Sequence, residues 1–326
     1  MVTSLRSAVG TVRPMAPLPP SPVPVVDLSA PDAGIALVSA LTTHASALLV
    51  GHGVDPALRR RVIELSREFF ALPEEEKDAV RWDGTGLWSG WQPVYAGRPE
   101  LTGDRVPDLV ERFECQELDR FDRWPARPEG FAEAWTDYYR AAGDLATRLV
   151  LLAAEVLDLP TDDLPAWTDG QFANMVANHY LPQPEPPLPG QTRVAAHTDR
   201  GGITLLAADE APGGLEVRPG GRGWTPVVIP EDAYVVQVGD LFSRWTNRCV
   251  PANVHRVVNP PREVAATASR LALVYFHHPS LDAVVAPAPS CVDGEHPAVT
   301  PIRCRDHLAR RQEAYKADGT ERYALT

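Results

Sequence analysis

With 326 residues, 44% of them hydrophobic, the chain is long enough for one large domain or two small ones around a sizeable core. Its net charge of −12, with no block of Lys or Arg, excludes the basic patch that nucleic-acid binding requires. No apolar run reaches the ~18–20 residues of a membrane span, so neither nucleic acid nor membrane is an expected partner.

Prolines number 33, about twice the average usage of ~5%, and cluster between periodic segments, which favours a loop-punctuated fold. Residues 1–22 read as an extended arm, because Pro14, Pro17, Pro19, Pro20 and Pro22 block helix and central strand alike. The same segment lacks the apolar core of a signal peptide. A strand is expected over 23–28, a helix over 33–47, and a strand over 48–52 that ends at the Gly51/Gly53 turn. The next helix is marked by Asp55 as N-cap and Pro56 in its first turn, with Leu58, Val62, Leu65 and Phe69 at helical spacing. Pro73 stops it, and a short acidic helix follows at 74–77.

Residues 81–128 carry Trp82, Trp88, Trp91, Tyr95, Phe113, Phe121 and Trp124 among glycines and prolines, a texture of loops and short strands. The longest helix then runs to Pro160, with Phe131, Trp135, Tyr138, Ala142, Leu145, Leu149, Leu152 and Val156 forming one apolar packing stripe. After residue 170 come eight short runs rich in Val, Ile, Leu and Tyr: 173–181, 193–197, 204–208, 215–218, 224–228, 233–238, 255–258 and 271–277. Turn signals about every ten residues predict a β-sandwich or jelly-roll barrel. Residues 306–316 are expected to be helical. The fold class is therefore mainly β with N-terminal helices. Its expected parts are a helical or mixed region at 1–169, a β-barrel core at 170–281 and a C-terminal extension at 282–326.

Four cysteines, Cys115, Cys249, Cys291 and Cys304, form no C-x-x-C pair. In a chain this long they fit a reducing compartment, so a cytoplasmic protein is expected.

Chemistry concentrates in one segment. His197 and Asp199 stand two apart at the end of a predicted strand, so that one imidazole and one carboxylate enter the barrel together. His255 opens another predicted strand with the same inward logic. Two histidines and a carboxylate on one face of a metal leave adjacent positions open, as a non-haem Fe(II) oxygenase needs. A structural zinc site would be closed and usually thiolate-rich, and no cysteine lies near either histidine in sequence. Taken alone, His-x-Asp is also the spacing of an ordinary structural pair. Arg270 begins the last predicted barrel strand, where a buried guanidinium requires an anion such as a carboxylate; an exposed strand-start arginine is the alternative. Asn178 and Tyr180 share a strand face and offer an amide and a phenol, although Tyr180 is equally readable as a buried tyrosine with a satisfied hydroxyl.

The run Asn178-His-Tyr-Leu-Pro182, His197-Thr-Asp199 and Thr204-Leu-Leu206 resembles the isopenicillin N synthase-like branch of the 2-oxoglutarate dioxygenases. Gly213-Gly-Leu-Glu-Val217, Val238-Gly-Asp-Leu241 and His255-Arg-Val-Val-Asn259 continue the match in order, as do His52-Gly-Val54 and Glu68-Phe-Phe-Ala-Leu-Pro73 upstream. The resemblance covers about 23–280. It implies a double-stranded β-helix core, Fe(II) at His197, Asp199 and His255, and 2-oxoglutarate held by Arg270 with Tyr180 and Asn178 beside it. It also implies O₂ as oxidant, and hydroxylation, desaturation or ring closure of a small molecule with release of succinate and CO₂. Where the family pattern has Arg-x-Ser, this chain has Ala272, so one hydrogen bond to the keto acid is absent; Tyr180 or Thr204 is expected to offset it.

Two other readings share this shape. One is an isopenicillin N synthase-type Fe(II) oxidase without 2-oxoglutarate, in which the arginine grips the substrate's own carboxylate. The other is a non-catalytic jelly-roll binding protein, which intact His197, Asp199, His255 and Arg270 argue against. Trp91, Phe113, Phe172, Phe242 and Trp245 are candidates for lining a pocket for an apolar or ring-bearing substrate, with plain core packing as the alternative. The Ala-, Arg-, Pro- and Val-rich composition is that of GC-rich bacterial genes, where such enzymes tailor specialised metabolites.

Overall fold

The computed structural model describes residues 23–83, 89–94, 108–293 and 297–318. The predicted N-terminal arm, Trp88 and Tyr95 lie outside the described residues.

Strand β1 (Val25–Asp27) leads into helix α1 (Ala33–His44) and strand β2 (Ser46–Val50). The helix stops three residues earlier than its apolar pattern predicts. Ala45 turns left-handed at φ 55° and its N–H returns to the Leu41 carbonyl, while Ser46 and Ala47 are claimed by the sheet. Helix α2 (Pro56–Phe70) begins as expected, the Asp55 carboxylate accepting from the Ala57 N–H at 2.8 Å. Helix α3 (Glu74–Asp78) and strands β3 (Gly90–Gln92) and β4 (Glu111–Gln116) follow.

Helix α4 (Phe131–Leu157) buries Phe131, Trp135, Tyr138, Ala142, Leu145 and Leu149, whereas Val156 at the stripe's end is 40% exposed. Helix α5 (Leu164–Thr168) precedes the β-rich half. There β5 (Phe172–Tyr180), β6 (Val194–His197), β7 (Ile203–Ala208), β8 (Gly214–Val217), β9 (Thr225–Pro226) and β10 (Tyr234–Val238) run in succession. Helix α6 (Asp240–Trp245), which the sequence pattern did not mark, interrupts them. Strand β11 (His255–Val258), helix α7 (Arg262–Ala265), strand β12 (Arg270–His278) and helix α8 (Cys304–Asp318) complete the order.

The strands form a major sheet in the order β1-β2-β10-β7-β12-β5-β4-β3 and a minor sheet β6-β11-β8-β9, the two layers of a jelly roll. Four of the eight major-sheet strands come from the first 120 residues and extend both of its edges, so the front of the chain is not only helical. On the helix side, β12 and β7 meet α4, and the larger apolar core fills that interface. Between the sheets a second core gathers Tyr180, Leu206, Leu215, Val217, Val257 and Val274.

Register decides what enters the space between the sheets. Strand β12 pairs Ala272 with Asn178 and Ala208, Val274 with Val176 and Leu206, and Phe276 with Asn174 and Thr204. Strand β4 extends these rows by pairing Arg112 with Asn178, Glu114 with Val176 and Gln116 with Asn174. Because side chains alternate faces, each row points one way, inward.

Candidate metal centre and its cavity

His197 and His255 face each other directly across the β6–β11 pair, their ring centroids 4.2 Å apart. Strand β6 ends at His197, so Asp199 reaches the same place from the following turn rather than by strand alternation. That turn is pinned where the Asp240 N–H, at the start of α6, donates to the Asp199 carbonyl at 2.8 Å. Asp199 Oδ1 stands 3.5 Å from His197 Nε2 and 3.7 Å from His255 Nε2. One donor atom from each residue lies within 4.8 Å of the others, and no other such trio of His, Cys, Asp or Glu occurs among the described residues.

The donors suit a metal ion. Each imidazole turns its Nδ1 toward a carbonyl of its own chain segment, Ala195 at 2.8 Å and Asn253 at 3.3 Å. A carbonyl only accepts, so Nδ1 carries the hydrogen and Nε2 is the atom presented to the centre. Burial works against the charge of Asp199, but the imidazoles of His255 and His197 and the Thr204 hydroxyl hold its carboxyl well below the usual range. A cation seated among the three atoms takes the place of the protons that otherwise bind there. The Thr204 hydroxyl donates to Asp199 Oδ2 at 2.5 Å and fixes the orientation of the carboxylate.

A cavity of about 210 Å³ opens beside the three ligands, between the sheets. Its wall includes Asn178, Tyr180, Thr204 and Phe172 of the predicted site residues. Asn178 accepts from Arg112 Nε at 2.9 Å, and Tyr180 is almost fully buried. Arg270 shares the inward face of β12 with Val274 and Phe276 but sits behind the wall, its guanidinium carbon 5.7 Å from the Tyr180 ring. It is 4% exposed, and no side-chain hydrogen bond or ion pair holds it among the described residues. Burial lowers its pKa, and the neighbouring Tyr180 and Asp209 pull it back up. Arg193 flanks the same ring at 5.4 Å and donates to the Pro212 and Ala268 carbonyls. At Gly213, in the left-handed region at φ 74°, a Cβ would come within 2.9 Å of Arg193 Nη1, so glycine lets the β8 entry close over these guanidinia.

Four of the five predicted pocket aromatics belong to the core instead. Trp91 donates its Nε1–H to Glu111 Oε2 and lies under Lys77 and Arg81. Phe113 occupies the outward face of β4 against Phe69, Phe131 and Trp135. Phe242 and Trp245 pack on Trp167, with Trp245 Nε1 donating to Asp163. Only Phe172 of the five reaches the cavity. Sequence reasoning missed the polar residues of β4, Arg112, Glu114 and Gln116, and the α8 residues Leu308 and Gln312, all of which line the cavity. Alternation along Glu111–Gln116 was the available signal.

Comparison with known proteins gives the same reading. The model of the 2OG-Fe(II) oxygenase superfamily matches residues 171–279, and that of the non-haem dioxygenase N-terminal region named for morphine synthesis matches 23–137. The chain is 32% identical over 283 residues to flavanone 3-dioxygenase 2 of Oryza sativa, covering 85% of this chain and 79% of the relative. It is 31% identical over 302 residues to the 2-oxoglutarate-Fe(II) type oxidoreductase hxnY of Emericella nidulans, covering 84% of each. Among solved structures, a full-length Neurospora crassa protein in complex with alpha-KG superposes with a TM-score of 0.77 at 25% identity, over 90% of this chain and 96% of that one.

Proposed function

This chain belongs to the 2OG-Fe(II) oxygenase superfamily, and from that membership we propose how its own residues divide the work on a small-molecule substrate. The protein is an oxygenase that uses Fe(II), 2-oxoglutarate and O₂. We assign the iron to His197, Asp199 and His255; the convergence of their donor atoms within 4.8 Å is the observation that carries the assignment. Residues 170–281 are the proposed catalytic unit, with 1–169 supplying sheet edges and outer helices and the extension 282–326 closing one side of the cavity through α8.

When bound, iron and 2-oxoglutarate supply the oxidising chemistry, in which the keto acid is converted to succinate and CO₂ while a substrate C–H bond is oxidised. The chain's part is binding and orientation. Arg270, deep behind Tyr180 and without a counter-ion among the described residues, suits the distal carboxylate of the keto acid. Tyr180 shields that pair from water, and Asn178, steadied by Arg112, lies one register row nearer the metal ligands. Thr204 is committed to Asp199, so Tyr180 is the residue left to offset the missing serine hydroxyl at Ala272. Hydroxylation, desaturation or ring closure then depends on which C–H the remaining wall presents.

The 2-oxoglutarate named for the hxnY relative and the alpha-KG bound in the Neurospora crassa structure favour this reading over the keto-acid-independent oxidase. A specialised metabolite is the proposed substrate. Four free cysteines support a cytoplasmic location, and no helix among the described residues is long and apolar enough to cross a membrane.

The test adds Fe(II) and 2-oxoglutarate without O₂ and records the visible charge-transfer band of the chelated keto acid. The wild type is expected to develop the band and His255→Ala to lack it. A wild type that binds iron but shows no band would overturn the assignment.

A further inference from the structure

The cavity wall carries a carboxylate that no cation among the described residues meets at ion-pair distance. Glu114, on the inward face of β4, is 4% exposed and lines the cavity. No Lys, Arg or His approaches it within ion-pair distance among the described residues. The nearest guanidinium, Arg112, spends its donors elsewhere, on Asn178 Oδ1 at 2.9 Å and toward Asp108 at 3.8 Å. The other charged or titratable wall groups outside the metal centre are Asp108, Tyr180, Arg200 and His278.

Three amides hold Glu114 as an acceptor. Asn174 Nδ2 donates to Oε1 at 2.8 Å, Gln116 Nε2 to Oε1 at 3.0 Å, and Gln92 Nε2 to Oε2 at 3.3 Å. The orientation of Asn174 is itself set, because its Oδ1 faces His278 Nε2 at 3.1 Å. Burial pushes His278 down to about 3, so this imidazole is neutral and offers one hydrogen. An ionised carboxylate has about four lone-pair directions, and three donors leave one open. Burial raises the pKa of Glu114, and the amides and Arg112 only partly oppose it. Desolvated charge of this kind is costly until an opposite charge meets it.

Resting on the oxygenase reading above, we propose that the substrate carries a protonated basic nitrogen and that Glu114 is the residue that binds it. The sheet rows give the spacing. Thr204, which orients Asp199, begins the row Thr204–Phe276–Asn174–Gln116, and Glu114 lies at the far end of the adjoining row Leu206–Val274–Val176–Glu114. Strands stand ~4.8 Å apart, so the carboxylate is three strands along the wall from the metal side. Phe276 and Val176 lie between. The charged nitrogen is therefore several bonds from the oxidised carbon, and an apolar stem or ring bridges the two.

The test loads the protein with Zn(II) and 2-oxoglutarate and titrates it by calorimetry with benzylammonium and with benzyl alcohol, which share a ring and differ in charge. Benzylammonium is expected to bind at least about tenfold more tightly, as a charge-assisted contact in a desolvated site requires. Glu114→Gln is expected to abolish the preference and Glu114→Asp to retain part of it. Equal affinities in the wild type, or an undiminished preference in Glu114→Gln, would overturn the proposal. Should Glu114→Gln fold poorly, the wild-type comparison decides alone. The anaerobic Fe(II) band, read without either probe, reports separately on the oxygenase reading.

Discussion

Arg311 of helix α8 donates to the Thr198 carbonyl at 3.1 Å and to its hydroxyl at 3.2 Å, gripping the residue between His197 and Asp199. The same guanidinium stands 3.2 Å from Asp240, whose backbone N–H holds the Asp199 carbonyl. Two helices distant in sequence thus brace a turn that no longer has strand pairing to define it. Partners that orient metal ligands are typically worth ten- to a hundredfold in metal affinity. Arg311→Met is therefore expected to weaken Fe(II) binding by about that range, measured by competition with a chromogenic chelator. An affinity equal to that of the wild type would show the brace to be irrelevant to the centre.

The Thr204–Asp199 contact is closer to the chemistry and separable from it. Replacing Thr204 by Val keeps the shape and strips the donor from a buried, charged oxygen. A hydrogen bond to a charged group contributes ~1.5–3 kcal/mol, and that is the loss of stability expected for Thr204→Val in the metal-free protein by urea unfolding. Thr204→Ser restores the donor and should recover most of it. If Thr204→Val is as stable as the wild type while Thr204→Ser is not, the methyl group rather than the hydroxyl matters at this position.

Much of this site was readable in the sequence. His197, Asp199 and His255, singled out by chemistry and spacing, do converge, and Arg270, singled out by its place at the head of an apolar strand, is buried there. What failed has physical causes. A buried aromatic looks the same in sequence whether it packs a core or walls a cavity, so Trp91, Phe113, Phe242 and Trp245 were misassigned. Strand β4 failed in the opposite sense. Its alternating Arg112, Glu114 and Gln116 carry no local mark of burial, yet their face looks into an enclosed space. The α1–β2 boundary depended on β10, nearly 200 residues away, which no local pattern contains.

Ala272 allows the proposed keto-acid site to be tested by gain as well as loss. It lies two residues from Arg270 on the same inward face, paired with Asn178 and Ala208. A serine there adds one hydroxyl within the arginine's neighbourhood, and one net hydrogen bond is worth ~0.5–1.5 kcal/mol. Ala272→Ser is expected to tighten 2-oxoglutarate binding roughly two- to tenfold, whereas Arg270→Gln should weaken it by more than ~30-fold, because it removes one partner of a buried charge pair. Both are read from anaerobic titration of the Fe(II) band. Weaker keto-acid binding in Ala272→Ser, with stability unchanged, would place the distal carboxylate elsewhere.

Acid sensitivity should trace in part to His277, away from the metal centre. Its ring is fully buried, stacks on Trp167, and donates from Nε2 to the Trp167 carbonyl at 2.8 Å. Burial pushes its pKa from 6.5 down to about 4, so the folded protein keeps it neutral where the unfolded chain protonates it. The sign follows from linkage. Above pH 6.5 neither state binds the extra proton and the residue costs nothing, and below it the unfolded state gains protons first, so stability falls as pH drops toward 4. At pH 4.5 the loss from this one residue is about 2.5 kcal/mol relative to neutral pH. His277→Gln preserves a donor for the Trp167 carbonyl and does not titrate. Its unfolding free energy, followed in urea from pH 7 to 4.5, is expected to decline by about that much less than the wild type's. Parallel pH profiles for the two proteins would mean that the proton taken up on acid unfolding goes to another group.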